Sequence, residues 1–109
     1  MATFFKNKVL SNIGTSDTEV ISVVSGSKVT VVGLSLTNLT DGVVLANLKV
    51  TDASNTTGFY VRNLIIPPNS SARVVNGGEK LMLPQLNVLE VSSNTVDSLD
   101  AIVSYIEIV

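Results

Sequence analysis

The chain has 109 residues, with seven basic and nine acidic side chains and a formal net charge of -2 at pH 7. Charged residues make up 15% of the sequence, against roughly 25% in an ordinary soluble domain. The length predicts one domain covering residues 1–109. Cysteine and histidine are absent from the sequence, which excludes disulfides and the thiolate and imidazole ligands of metal sites. The few, scattered basic residues argue against a nucleic-acid partner.

The N-terminal residues lack the charged and then apolar layout of a secretory signal, so we expect no signal peptide. The longest uncharged stretch is the twelve residues between Lys28 and Asp41. A membrane-spanning helix needs about 20 apolar residues. We therefore expect no membrane partner.

Valine, isoleucine and threonine are abundant, and branching at the β-carbon favours strands over helices. Turn-forming residues interrupt the sequence about every ten residues, which is typical of sandwiches and barrels. The pattern predicts eight or nine strands, over residues 5–10, 19–24, 28–38, 43–51, 59–66, 72–76, 80–83, 87–92 and 98–109. We expect an all-β, single-domain antiparallel β-sandwich with a jelly-roll-like arrangement.

The two terminal strands carry further signals. In the first strand, Lys6 and Lys8 share one face while Phe5 and Val9 share the other. Lysine on an exposed strand discourages uncontrolled pairing, so this pattern is typical of a sheet edge. The same segment could also be an arm that reaches onto a neighbouring subunit, and the sequence does not decide between the two. The last strand is still apolar at Val109, and ends that are not tied into a sheet fray. It is therefore predicted to be central in its sheet, or paired across a subunit boundary.

Apolar residues occupy both faces of several predicted strands, whereas a sheet with one solvated face should alternate apolar and polar residues. In the last strand, Leu99, Ala101 and Val103 alternate with Ile102, Ile106 and Ile108. An apolar face left in water costs about 25 cal/mol per Å², so we expect a partner to cover the second face. The simplest partner is another copy of the chain, in a homo-oligomer. The predicted interface residues are Phe4, Phe5, Tyr105, Ile106, Ile108 and Val109.

No constellation of catalytic residues is visible, so we expect neither an enzyme nor a cofactor or metal requirement. Asp97 and Asp100 fall on opposite faces of a strand, which does not suit a glycosidase pair. The loop over residues 52–58 lacks the central glycine and closing glutamate of a calcium loop. Gly77 and Gly78 lack the spacing of a phosphate-binding loop and indicate a turn between strands.

Tyr60 and Arg62 are two residues apart on one predicted strand and would share a face. They form a candidate recognition patch, in which case the protein would be a host-recognition or carbohydrate-binding module. The competing interpretation is a packed ring with a neighbouring cation. Sugar-binding surfaces usually present exposed aromatic rings, but aromatic residues are only 5% of this sequence and tryptophan is absent. A carbohydrate partner is therefore the alternative hypothesis and not the favoured one.

Five segments together resemble small virion structural proteins of tailed phages, especially phages of marine bacteria and cyanobacteria. The resemblance is carried by residues 5–15, 29–38, 61–70, 77–81 and 100–109. It implies a non-enzymatic all-β component of the head, neck or tail, made in the bacterial cytoplasm and located in the virion, with other particle proteins as partners. Many relatives have a Gly-Asp turn before the penultimate strand. Leu86 and Asn87 stand there in this chain, which puts the turn type in question.

Overall fold

The computed structural model describes residues 2–76 and 78–109, and these residues form nine strands. The strands are β1 (Thr3–Ile13), β2 (Thr18–Ser22), β3 (Lys28–Asn38), β4 (Val44–Thr51), β5 (Thr57–Ile66), β6 (Ser71–Val75), β7 (Leu81–Leu83), β8 (Val88–Ser93) and β9 (Leu99–Ile108). Each corresponds to one predicted strand. The largest difference is in β1, which starts two residues before the predicted strand and ends three residues after it. The predicted Gly77–Gly78 turn lies partly outside the described residues.

The strands form two antiparallel sheets, which confirms the predicted β-sandwich. Sheet A has the order β1-β9-β3-β6, with β7 also paired to β3, and sheet B has the order β2-β8-β4-β5. The pairs are nested: β4 pairs with β5, β3 with β6 and β7, β2 with β8, and β1 with β9. A long hairpin wrapped into two sheets has this connectivity, which is the jelly-roll arrangement. The prediction that β9 is central and β1 lies at an edge is also confirmed.

The core is formed by the residues of each sheet that point towards the other sheet. In β3 the buried residues are Val29, Val31, Leu34, Leu36 and Asn38, and in β4 they are Val44, Ala46 and Leu48. The alternation in β3 changes phase at Val32 and Gly33, where the pairing with β9 shifts register. A bulge of this kind keeps both halves of a strand facing the core. No helix long and apolar enough to span a membrane occurs among residues 2–76 and 78–109.

The burial of side chains around β2 departs from strict alternation. Alternation places Val20 with Val24 and Ile21 with Val23 on opposite faces, but Val20, Ile21 and Val23 are all buried and Val24 is exposed. The reason is a register shift between Glu19 and Ile21 in the pairing with β8. The extra residue turns two consecutive side chains towards the core.

Charged side chains cross the middle of the outer face of sheet B. Across its middle, Glu19 pairs with Glu90, Glu90 with Lys49, and Lys49 with Phe59. The Lys49 ammonium also donates to the Asp17 carboxylate. This hydrogen bond raises the pKa of Lys49 above its ordinary value, as the negative charge stabilises the ammonium. The middle of sheet B is therefore polar and solvated on its outer face, while Phe59 and Ile65, both more than half exposed, add apolar side chains along its β5 edge.

Asn38, at the end of β3, joins the two sheets through a buried polar network. Its side chain is 1% exposed and takes part in five hydrogen bonds. The amide nitrogen donates to the carbonyls of Gly42, Ile66 and Pro67, and the amide oxygen accepts from the backbone and hydroxyl of Thr40. Ile66 ends β5 in sheet B, so this one side chain fixes the distance between the sheets at this end.

Leu86 takes a backbone conformation that leucine rarely adopts. Its φ is 66°, in the left-handed region, in the turn between β7 and β8. The Leu86 N–H donates to the Val23 carbonyl at 2.7 Å, which ties this turn to the end of β2. Glycine adopts this φ without steric cost, whereas other L-residues lose roughly 1–2 kcal/mol. The turn at Leu86 and Asn87, whose type the sequence left in question, thus has a backbone conformation that a leucine side chain disfavours.

We expect Asn38→Ala to lower the free energy of unfolding by about 3 kcal/mol, because several buried carbonyls lose their donor. Asn87→Ala is the matched control, since Asn87 is also buried but its amide donates one hydrogen bond, to Gln85. The control should lose about 1 kcal/mol. Urea unfolding followed by circular dichroism measures both, and equal losses would contradict the bridging role of Asn38.

We expect Leu86→Gly to raise the free energy of unfolding by up to about 1 kcal/mol, because relief of the left-handed strain exceeds the added entropy of the unfolded chain. The leucine side chain is exposed, so little packing is lost. Val96→Gly is the control, since Val96 is also exposed but does not have a positive φ. That variant should lose stability in the same urea titration; a loss in Leu86→Gly as well would refute the strain argument.

Candidate interaction surface

Pairing of the first and last strands brings the two ends of the described chain together. Ala2 and Val109 exchange two backbone hydrogen bonds, each of 2.9 Å, which confirms that Val109 is tied into the sheet. From there the register runs from Thr3 opposite Ile108 to Leu10 opposite Ala101. The six predicted interface residues, four of them from the last strand, therefore lie within one end of sheet A.

These six residues divide over the two faces of sheet A. Phe5 is opposite Ile106, and both lie on the outer face, since the neighbouring position of β9, Tyr105, packs against the core. Phe4 is opposite Glu107, and it therefore lies on the same inner face of sheet A as Tyr105. The structure thus places the residues together but on two surfaces. Their contact with a second copy stays a prediction.

A row of side chains crosses the outer face of sheet A from edge to edge. In register, Phe5 of β1 lies beside Ile106 of β9, Ile106 beside Thr30 of β3, and Thr30 beside Met82 of β7. Phe5 is 81% exposed and Met82 is 67% exposed, at the two ends of the row. Ile106 is half-buried between its neighbours. We call these four residues the apolar row.

A second, shorter apolar group lies four residues further along the strands. Val9, 63% exposed, is opposite Ile102, 48% exposed. On the other side of Ile102 the sheet becomes polar, with Ser35 of β3 and then Arg73 of β6. The apolar row and this group together give sheet A an apolar outer face near β1 and β9.

Small residues separate these two apolar stretches. Asn7 is opposite Ser104, and Ser104 is opposite Gly33. A shallow groove of about 360 Å³ opens beside Gly33 and Ser104, between the bulged part of β3 and β6. The charged residues on this face lie towards its margins: Lys28, Arg73 and Asp100. The centre of the outer face is therefore uncharged.

A larger groove, of about 590 Å³, lies at the Met82 end of the apolar row. Its walls are formed by the start of β3, by β7 with the following turn, and by the end of β9. The lining includes Val29, Thr30, Met82, Leu83, Pro84 and Ile108. The groove is mostly apolar and opens beside residues that the register places on the outer face of sheet A.

The sequence placed Val9 on the strand face of Phe5, and Ile102 on that of Ile106. It did not point to Thr30 or Met82 as their neighbours on this surface. Met82 carries no such signal, because its place depends on the docking of the three-residue strand β7 onto β3. That pairing joins residues about fifty positions apart.

The inward side of β1 near its start is charged. Lys6 Nζ lies 2.7 Å from Glu107 Oε1, and the ammonium sits 5.5 Å from the centre of the Phe4 ring. The hydrogen bond to Glu107 raises the pKa of Lys6 above its ordinary value. Lys8 follows on the same side, opposite Val103. Two lysines thus line the edge strand on one face.

Tyr60 and Arg62 have different partners. The Tyr60 ring packs against the core, and its hydroxyl donates to Glu79 Oε2 at 2.8 Å. The Arg62 guanidinium lies over the ring of Phe59, 5.1 Å from its centre. Register shifts between β4 and β5 on both sides of Leu48 interrupt the strict alternation that the shared face assumed. The recognition patch stays a prediction, with Phe59 as the aromatic partner of Arg62.

Burial raises the pKa of the Tyr60 phenol, and the neighbouring Glu79 carboxylate raises it further. Both effects disfavour the phenolate. In the described part of the chain, no buried side-chain polar atom lacks a hydrogen-bond partner. Across residues 2–76 and 78–109, no cluster of three or more acidic side chains is arranged to hold a metal ion.

No family model matches the sequence, and no curated protein matches it. Among solved structures, the chain is similar to a chain of infectious bursal disease virus, Gt strain, with a TM-score of 0.47 and 10% sequence identity. The similarity covers 97% of this chain and 32% of the viral chain. This chain therefore spans about a third of the length of its structural neighbour. A similarity at this level carries no argument about function.

We expect Tyr60 to ionise above the ordinary phenol pKa of 10.0. Subtracting the 295-nm absorbance titration of Tyr60→Phe from that of the wild type isolates this midpoint. Because the pKa is raised in the folded state, the stabilisation is complete below pH 10 and is lost as the pH rises through the folded pKa. Glu79→Gln should move the midpoint down, and a midpoint unchanged by that substitution would contradict the contact between Tyr60 and Glu79.

Proposed function

We propose that the protein is a non-enzymatic virion structural component of a tailed phage, in the head, neck or tail. In this proposal it assembles with copies of itself and docks on other particle proteins through the outer face of sheet A. The single observation that carries the proposal is the apolar row, which exposes Phe5 and Met82 on a strand-lined surface.

The contrast between the two sheets supports this choice of surface. The middle of sheet B exposes Glu19, Glu90 and Lys49, which water solvates well. Full burial of a side chain such as phenylalanine or methionine is worth about 1.5–3 kcal/mol relative to leaving it in water. Phe5 and Met82 therefore offer a gain on association that the charged middle of sheet B does not offer; the exposed apolar residues of sheet B, Phe59 and Ile65, lie along its β5 edge.

The charges of β1 favour association by the face over pairing at the strand edge. If two β1 strands paired antiparallel about Asn7, Lys6 of one copy would lie opposite Lys8 of the other. Like charges directly opposite one another in a sheet are destabilising. Lysines on an edge strand are a known way to prevent such pairing. The outer face of sheet A carries no such obstacle at its centre.

The resemblance of five segments to small phage virion proteins supports placement in a particle. An assembly component needs repeated adhesive surfaces and no reactive groups, and the described side chains fit that requirement. The alternative, a carbohydrate-binding module, has less support, because the Tyr60 ring packs against the core and its hydroxyl already bonds Glu79. Glycan-array binding that is lost in Arg62→Ala would favour the alternative.

We expect the purified protein to self-associate at high micromolar concentration, well above the monomer mass of 11.5 kDa. Ile106→Lys should return it to the monomer, because a charge at the centre of the apolar row is costly to bury. Multi-angle light scattering measures the mass. Ile102→Lys is a second variant on the same face, and circular dichroism checks that both fold.

Leu45→Lys is the matched control, because Leu45 is also half-buried but lies on the outer face of sheet B. It should leave the association unchanged. A wild-type protein that stays strictly monomeric, or a control that dissociates as readily as Ile106→Lys, would contradict the proposed surface. Mass spectrometry of purified phage particles tests the location, and absence of the protein from them would refute the virion role.

A further inference from the structure

We propose that two copies pair through the outer faces of sheet A about a two-fold axis parallel to the strands, with Phe5 of each copy inserted beside Met82 of the other. This inference rests on the proposed function and specifies its first step, which is the contact between two copies. The partner is therefore a second copy of this chain.

One row of the face holds both a projecting ring and a groove. Phe5 projects at the β1 end with 81% of its surface exposed. The groove of about 590 Å³ lies at the other end, beside Thr30, Met82 and Ile108. Large aromatic side chains that fill pockets are the usual anchors of protein interfaces. A methionine sulfur beside an aromatic ring adds a favourable contact.

The surface also fits two-fold symmetry. A two-fold interface brings the same surface of both copies together, so each feature must meet its complement on that one surface. A two-fold axis parallel to the strands, lying between β9 and β3, exchanges the β1 side of one copy with the β7 side of the other. Phe5 then faces Met82 of the second copy, and Ile106 faces Thr30. Because the axis relates the two copies, both contacts between Phe5 of one copy and Met82 of the other form together.

The charges on this face do not oppose the pairing. The same two-fold operation places Lys28 of one copy opposite Ile108 of the other, Arg73 opposite Val9, and Asp100 opposite Thr37, as the register within sheet A dictates. No pair of like charges meets. Arg73 and Asp100 lie at the margins of the contact, while Lys28 also lines the groove that receives Phe5, where a cation beside an aromatic ring is favourable. Interfaces commonly have an uncharged centre and a polar rim.

The size of the surface sets the expected strength. With strands about 4.8 Å apart and a rise of about 3.3 Å per residue, the part of the face from Thr3 to Val9 across four strands covers roughly 400 Å² before side-chain relief is counted. Stable interfaces of standard size bury about 800 Å² on each partner. An isolated pair should therefore be weak, and many copies in one particle would strengthen it.

A second two-fold arrangement is geometrically distinct. If the axis ran across the strands through the row of Asn7, Ser104 and Gly33, then Phe5 would face Val9 of the other copy and the groove would stay empty. The first arrangement is preferred because it fills the groove. The two arrangements predict different neighbours for Phe5, so they can be separated by experiment.

The natural absence of cysteine allows disulfide trapping with single substitutions. Phe5→Cys and Met82→Cys proteins are mixed at high micromolar concentration and oxidised with copper–phenanthroline. Within one chain these positions are three strands apart, about 14 Å, beyond the Cα separation that a disulfide spans. Non-reducing electrophoresis and mass spectrometry then identify cross-linked heterodimers. The matched control is Phe5→Cys mixed with Ile65→Cys, an exposed position on the outer face of sheet B.

We expect at least about tenfold more heterodimer in the Phe5→Cys and Met82→Cys mixture than in the control, because the complex raises the local thiol concentration. A cross-link between Phe5→Cys and Val9→Cys in its place would overturn this arrangement in favour of the other two-fold. Wild-type association with no excess heterodimer would overturn the inference while leaving the proposed function intact. A wild-type protein that is monomeric by light scattering would overturn both.

Discussion

Strand β9 is hydrogen-bonded along both of its edges, to β1 on one side and to β3 on the other. This double pairing fixes the rotation of β9, so Leu99, Ala101 and Val103 enter the core while Ile102 and Ile106 point outward. A shift of one residue would exchange the two sets, because side chains alternate strictly along a strand. The core of sheet A and its outer surface are thus determined by one register.

The two sheets share one core but meet the solvent differently. The middle of the outer face of sheet B is crossed by carboxylates and the Lys49 ammonium, with apolar Phe59 and Ile65 along its β5 edge, whereas Phe5, Ile106 and Met82 lie in one row across sheet A. The jelly-roll topology does not require this difference, since burial of the inner faces alone is enough to stabilise the sandwich. The same fold occurs in proteins with many different functions, so the fold alone does not account for the apolar outer face of sheet A. We relate this face to the specific role of this chain.

Polar groups also determine how the sheets are joined. Asn38 is buried and satisfied by partners that follow β3 and β5, and Ser93 and Ser98 exchange a hydrogen bond of 2.7 Å near the start of β9. Buried polar groups that are fully paired hold one geometry, because any other arrangement leaves donors or acceptors without partners. The ends of the sandwich are therefore fixed by specific contacts in addition to the apolar core.

Local signals were enough to predict the strands and the all-β class, because branched side chains and turn residues act locally. The lysines of β1 suited an edge strand or an arm, and the apolar residues on both strand faces pointed to six candidate interface residues, Phe5 and Ile106 among them. The pairing of the strands was needed to see that Thr30 and Met82 complete the row of Phe5 and Ile106, that Val20 and Ile21 are both buried, and that Tyr60 and Arg62 have separate partners. These features depend on bulges and on pairing between distant strands, and a local pattern contains no information about either.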